Sequence, residues 1–309
     1  MTRFLVIGDA TVDVTVAPLR PVRHAADVPA SIRFGPGGQG ANVAVRLARR
    51  GAAVSLLAAI GSDAAGRLIA DWLADEGVRL AATATGRSSA VVALLDSAGE
   101  RSMLSDRERL PARALGPLLA TASWVHVSAY ALLDDDEGDE LASSLAGRAA
   151  GIRLSVAGGS IPAEHDVASR VLARLALARP QVLLASRDEA GALLGEPTPA
   201  ADEAAARLAH VAPLTIVTAG SEGSFASFGG ETLEGAPVDA SGPVLDGTGS
   251  GDAYCAALIA ELATVAWPPR RDELGRAMAV AGRAGSQVAR VFGAQGRIPD
   301  EATAAGAGT

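Results

Sequence analysis

The sequence predicts an α/β fold: a mostly parallel central sheet covered by helices on both faces, with a small subsidiary sheet beside it. Three observations carry this. Short apolar runs recur along the chain. Ala/Leu-rich stretches with helical spacing lie between many of them. Two further stretches alternate in polarity and lack helix signals.

The apolar runs are RFLVIG (3–8), AVVALL (90–95), WVHVS (124–128), IRLSVA (152–157), QVLLA (181–185) and LTIVT (214–218). Each is short and apolar throughout, as a strand buried on both faces should be. Helices are expected at about 41–50, 64–76, 137–149, 165–178, 202–211, 250–263 and 272–291. In the first of these, Ala41, Ala44, Val45 and Ala48 share one face, and Gly51 is a natural stop. Residues 11–34 and 87–105 break the rhythm: TVDVTVAPL and SSAVVALLDSAGERSML read as β-ribbon, a candidate lid on the main domain. The chain shows no internal repeat and no low-complexity block. Residues 1–309 are read as one domain, with a frayed tail at 301–309.

Composition narrows the function. The chain of 309 residues is 49% hydrophobic and 20% charged, enough for a sizeable core and unlike a disordered chain. A net charge of -8 argues against nucleic acid as a partner, since a phosphate backbone demands a basic face. Cys255 is the single cysteine, so an internal disulfide is impossible and a reducing cytoplasm fits. The opening MTRFLVIGDATVDV reads as a first strand, not a signal peptide, and no apolar run reaches membrane length.

Three glycine motifs carry chemistry. The first is DGTGSGDAY, Asp246 to Tyr254, just before an apolar helical stretch. Glycines before a helix leave backbone N–H groups open to an anion, and the helix dipole favours negative charge there. Asp252 would stand beside that anion as a base for an attacking hydroxyl; the plainer reading makes it an N-cap. The second motif, GPGGQGAN, spans Gly35 to Asn42. Its formal G-x-G-x-x-G is out of place for a dinucleotide fingerprint, because it follows the irregular ribbon and not the first strand. Gly37 and Gly38 would instead let backbone approach a sugar, with Asn42 offering an amide. The third, Thr218-Ala219-Gly220-Ser221-Glu222-Gly223, ends a strand, where open α/β sheets bind ligands.

In this order and spacing the motifs resemble the ribokinase-like, or PfkB, family of sugar and nucleoside kinases. GGQGANVA resembles its N-terminal signature, DGTGSGDAY its C-terminal one and VTAGSEG its nucleotide loop. GDATVDV resembles the opening strand, AGER (98–101) a lid strand, and AAIGSDAAGRLIADWLADEGV (58–78) a further family pattern. The resemblance spans nearly the whole chain. It implies a ribokinase-like three-layer α/β/α fold with a β lid. It also implies transfer of the γ-phosphoryl group of ATP to a sugar hydroxyl, usually a primary alcohol, with Mg²⁺.

Roles follow from the same resemblance. Asp252 would be the base, and Gly249, Ser250 and Gly251 the anion hole. Asp13, Gly37, Gly38 and Asn42 would hold the substrate, and Thr218, Gly220 and Gly223 the nucleotide. Glu189 would organise Mg²⁺ through water. Asp246 and Thr248 fall where many members hold K⁺ or a similar monovalent cation. Pairing of lid sheets, common in the family, would give a homodimer.

The sequence departs from the pattern in places. Ser186 replaces the amide of the usual N-x-x-E, though Glu189 is kept. The strand ending at Ala157 continues Gly158-Gly159-Ser160, without the usual acid. Gly247 and Ser250 stand where Thr and Ala are commoner. These departures keep a non-catalytic sugar- or nucleotide-binding protein in view as an alternative. A nucleoside kinase is the other; five Phe, three Trp and two Tyr leave few rings for base stacking, with Phe34 the candidate. The four histidines lack metal-ligand spacing, and His126 and Cys255 read as buried core residues. The run DDDEGDE (134–140) reads as a solvated loop entering a helix, Arg187 as solvated, and Arg107 as facing either substrate, a neighbouring subunit or solvent.

Overall fold

The computed structural model describes residues 2–82, 86–96, 101–110, 114–159, 161–162, 164–236, 243–299 and 301. The expected tail beyond Glu301, Ser160 and the 98–100 part of the lid motif lie outside them. Glu301 itself is buried against Arg46, so fraying does not begin there.

The apolar runs become the middle of a sheet. β1 (Arg3–Ile7), β8 (Trp124–Ser128), β9 (Arg153–Ala157), β10 (Val182–Ser186) and β11 (Leu214–Thr218) all run parallel. Two strands without an expected counterpart, β4 (Ala53–Leu57) and β5 (Arg79–Ala82), extend the sheet beyond β1. At the other edge β12 (Ser224–Phe228) and β13 (Glu231–Glu234) add antiparallel. The order among described residues is β13-β12-β11-β10-β9-β8-β1-β4-β5.

A second sheet holds β2 (Thr11–Pro18), β3 (Ala30–Gly37), β6 (Ser89–Leu95) and β7 (Arg101–Asp106), in the order β3-β2-β6-β7. AVVALL therefore belongs here and not in the main sheet. Its side chains from Val92 to Leu95 are half-buried, unlike the sealed central strands.

Helices cover both faces of the main sheet. On one lie α1 (Gln39–Arg49), α2 (Ala64–Asp75), α8 (Ser250–Leu262) and α9 (Arg271–Val288), packed against Phe4, Val6, Leu56, Trp124 and Leu184. On the other lie α3 (Leu115–Leu119), α4 (Glu137–Ala146), α5 (His165–Ala178), α6 (Arg187–Leu194) and α7 (Ala201–Arg207), against Leu5, Ile7, Val125 and Leu183. Alternate residues of β1 thus feed the two cores, the period-two consequence of a strand buried on both sides.

Local chemistry sets the helix ends. Asp63 caps α2 by accepting from the Gly66 N–H at 2.7 Å. Gly51 ends the α1 turn at φ +80°, donating to Ala48 O. The α6 helix was not expected; Ser186 and Glu189 make a capping box at its start. Asp134 Oδ1 accepts from the Glu137 N–H, and Asp139 pairs with Arg174, so the acidic run starts α4. Among the described residues no cluster of three or more His, Cys, Asp and Glu is placed to hold a metal ion, and no helix is long and apolar enough to cross a membrane.

His126 is sealed in β8, hydrogen-bonded through Nδ1 to Ser155 Oγ at 3.0 Å and near the buried Cys255 sulfur. Burial lowers its pKa to about 3, so it stays neutral. Burial also pushes the Cys255 thiol up, which leaves it unreactive.

Candidate active site

The glycines of the C-terminal motif have separate tasks. Gly249 sits at φ +79°, and a Cβ there would lie 2.7 Å from Ala294 Cα. Both backbone and space require glycine. Gly247 and Gly251 meet nothing within 4 Å on their open side. Both instead line a cavity of about 360 Å³.

Two cavities meet at the start of α8. The smaller, of about 190 Å³, is lined by Gln39, Gly158, Ser186, Glu189, Gly249 and Asp252 among others. The larger includes Thr218, Gly220, Gly223, Ser250, Gly285 and Ser286. Thr218, Gly251 and Tyr254 wall both. N–H groups in the first turn of a helix have no intrahelical acceptor, and the dipole points its positive end here. Ser250 Oγ is buried without a hydrogen-bond partner.

Asp252 is the third residue of α8, and Gly249, not Asp252, is the N-cap. Its Oδ2 accepts from Asn42 Nδ2 at 2.7 Å. Burial raises its pKa to about 7; the Asn42 bond opposes this, Asp9 and Glu189 add to it, and Arg46 opposes it. A carboxyl with that pKa is poised to exchange a proton near neutrality.

Glu189 is tied to Ser186: its Oε2 accepts from the Ser186 N–H at 2.7 Å, and its own N–H donates to Ser186 Oγ at 3.2 Å. Burial raises its pKa. Serine thus does at this position what a capping amide would do. Arg187 pairs with Glu222 through Nη1 and Nη2, so it is not simply solvated.

Asp13 and Gly37 meet diagonally across the β2–β3 pair, in which Asp13 is registered with Gly35 and Gly37 with Thr11. A Cβ at 37 would lie 2.1 Å from the Asp13 carboxyl, so glycine makes room for it. Thr11 Oγ1 donates to Asp13 Oδ1 at 2.6 Å, and burial raises the Asp13 pKa. Gly38, at φ +93°, is the N-cap of α1, where a Cβ would strike Asp9 O at 2.6 Å. Asp13, Gly37 and Gly38 line neither cavity. Asn42 is buried and turned to Asp252. Asp246 accepts from the N–H groups of Thr248 at 2.9 Å and Gly293 at 3.0 Å, joining two loops behind the α8 start.

Arg107, just after β7 and left open by the sequence between substrate, a neighbouring subunit and solvent, pairs with Asp9 and lies 4.1 Å from the Tyr130 ring centroid. Asp9, Gln39 and Gln295 are neighbours that no local signal marks. Asp9 stood in the quoted GDATVDV motif, where its pairing had no local signal. Gln39 bridges Ser128 and the Gly158 carbonyl from inside GGQGAN. Gln295 donates to Asn42 Oδ1 at 3.0 Å from a stretch with no recognised motif.

Known proteins resemble the chain over nearly its whole length. The chain is 29% identical to a fructokinase of Klebsiella pneumoniae over 318 residues, covering 95% of each. It superposes on a fructokinase of Vibrio cholerae, solved with fructose, ADP and calcium, with a TM-score of 0.78 at 24% identity, covering 96% of this chain and 95% of that one. A ribokinase of Giardia lamblia matches with a TM-score of 0.80 at 17% identity, covering 99% and 98%. The pfkB family carbohydrate kinases match residues 1–301, nearly the full length. The chain belongs to the pfkB family of carbohydrate kinases, phosphotransferases that pass a phosphoryl group from ATP to a sugar hydroxyl.

Proposed function

We propose that the protein phosphorylates a primary alcohol of a small neutral sugar, and that fructose is the first substrate to test. The observation that carries this reading is the position of Asp252: an acid with a pKa of about 7, on the turn of α8 whose Gly251 walls both cavities. The fructokinase relatives support the choice of sugar.

On this reading Asp252 takes the proton of the attacking hydroxyl. A new O–P bond forms at the γ-phosphorus, the bridging O–P bond to ADP breaks, and the proton rests on Asp252. The transition state is loose, so catalysis is mostly positioning and charge stabilisation. The amides at Gly249, Ser250 and Gly251 receive the charge of the transferring group, with the unpaired Ser250 hydroxyl beside them. Thr218, Gly220 and Gly223 line the nucleotide's cavity. Asp13, Gly37, Gly38 and Asn42 hold the sugar, with the second sheet as its lid.

The donor chemistry fits Mg²⁺: the Glu189 carboxylate reaches the smaller cavity and would hold the ion through water. Mg²⁺, when bound, neutralises phosphate charge. Asp246 and Thr248 would stand next to a monovalent cation such as K⁺. Exposed Ile32, Phe34, Met103 and Leu104 on the edge strands of the second sheet support a homodimer formed there, which light scattering would detect.

The test is ADP release from ATP and Mg²⁺, with and without K⁺, over fructose, other hexoses, pentoses, sugar acids and nucleosides. Asp252→Asn is the control. Turnover of a sugar that is lost in the variant supports the proposal. Turnover of nucleosides alone overturns the sugar assignment, and full activity in the variant overturns the base.

A further inference from the structure

We propose that Gln295 is a positioning residue for phosphoryl transfer, holding the Asn42 amide in the one orientation that serves Asp252. This rests on the reading of Asp252 as the base.

An ionised carboxylate only accepts hydrogen bonds. Asn42 must therefore turn its NH₂ to Asp252, as it does at 2.7 Å. Its carbonyl oxygen then points away and needs a donor, because it is buried. Gln295 Nε2 supplies that donor at 3.0 Å. Without it, Asn42 could turn over and present its oxygen to Asp252. That arrangement suits the protonated acid and not the base.

Gln295 is itself held from the same helix. Asn42, Arg46 and Arg49 lie one and two turns apart on one face of α1. Arg49 donates to the Gln295 carbonyl at 2.8 Å, and Arg46 to the Ala294 carbonyl at 2.6 Å. Arg46 and Arg49 both reach Glu301. Ala294 also fills the space against Gly249 at the start of α8. Residues 294–299, with Glu301, thus strap α1 to α8, with Gln295 as the link aimed at the reacting acid.

The experiment is steady-state kinetics at saturating ATP and the best sugar of the panel, on wild type, Gln295→Leu, Gln295→Glu, Asn42→Leu, Gln295→Leu/Asn42→Leu and Asp252→Asn. Both Gln295 variants should lose about tenfold or more in kcat, with the KM for ATP changed less than about twofold. Adding Gln295→Leu to Asn42→Leu should cost nothing further, because the link is already broken. Gln295→Glu keeps the shape and removes the NH₂, so it tests the donor even if the leucine variant folds poorly. Wild-type kcat in Gln295→Glu overturns the proposal, and so does a full additive loss in the double variant. If Asp252→Asn is inactive while the Gln295 variants are wild type, the base stands and the positioning role falls. If Asp252→Asn is fully active, both fall.

Discussion

A side chain at position 158 would collide with Glu189: a Cβ on Gly158 would lie 2.3 Å from Glu189 Oε2. The carboxylate occupies the space next to the end of β9. Gly158→Ala should push Glu189 out of the smaller cavity while leaving the fold intact. We expect a Mg²⁺ titration of activity to shift to higher concentration, by about tenfold, with the melting temperature nearly unchanged. An unchanged Mg²⁺ dependence would detach Glu189 from the metal.

Asp252 should set the acid limb of the pH profile. The base must be ionised, so kcat/KM should fall as pH drops below about 7. Asp252→Asn should reduce kcat by roughly 10²–10⁴-fold and keep ATP binding, read by calorimetry. A profile flat down to pH 5 would remove Asp252 from the rate-limiting proton transfer.

The same group should shape stability. Its folded pKa, about 7, lies above its ordinary 3.8, so the unfolded chain releases this proton first as pH rises. Its contribution to stability therefore falls between those two values and is smallest above pH 7. Asp252→Asn should melt higher than wild type at pH 8, and the gain should vanish near pH 4. An equal difference at both pH values would contradict the shift.

Arg107 links the second sheet to the loop after β1 through Asp9, and packs over Tyr130. Arg107→Gln should raise the KM for sugar on the order of tenfold and leave the KM for ATP in place. A parallel loss in both would point to a general folding defect.

Glu301 should matter for stability although it nears the chain's end. Arg46 is 1% exposed and Glu301 4%, so removing the acid strands a buried charge. Glu301→Ala should cost about 3–5 kcal/mol in denaturant unfolding, and Glu301→Gln less. A loss below about 1 kcal/mol would mean that water reaches Arg46 in the variant.

Much of this protein is written in local pattern. The central strands were legible because burial on both faces leaves continuous apolar runs, and the longer helices because their apolar spacing persists. Gly249 could be picked out because a positive φ and a close backbone approach admit no other residue. β4 and β5 were missed: RLAA is only four residues long, and the apolar AVSLL lies between Ala-rich stretches from which it does not stand out. AVVALL reads like a core strand, yet only its neighbours β2 and β7 decide that it lies in the second sheet.

The sequence by itself determined the family, the order of the layers and the acid in the first turn of α8, because each depends on residues close together in the chain. Tertiary structure alone decided what surrounds that acid. Asn42 lies 210 residues from Asp252, and Gln295 lies 253 from Asn42. Arg107 finds Asp9 across 98. Those pairings depend on how helices and sheets pack, which no local spacing encodes. The pKa of Asp252 is likewise set by burial, and burial exists only once the layers have closed.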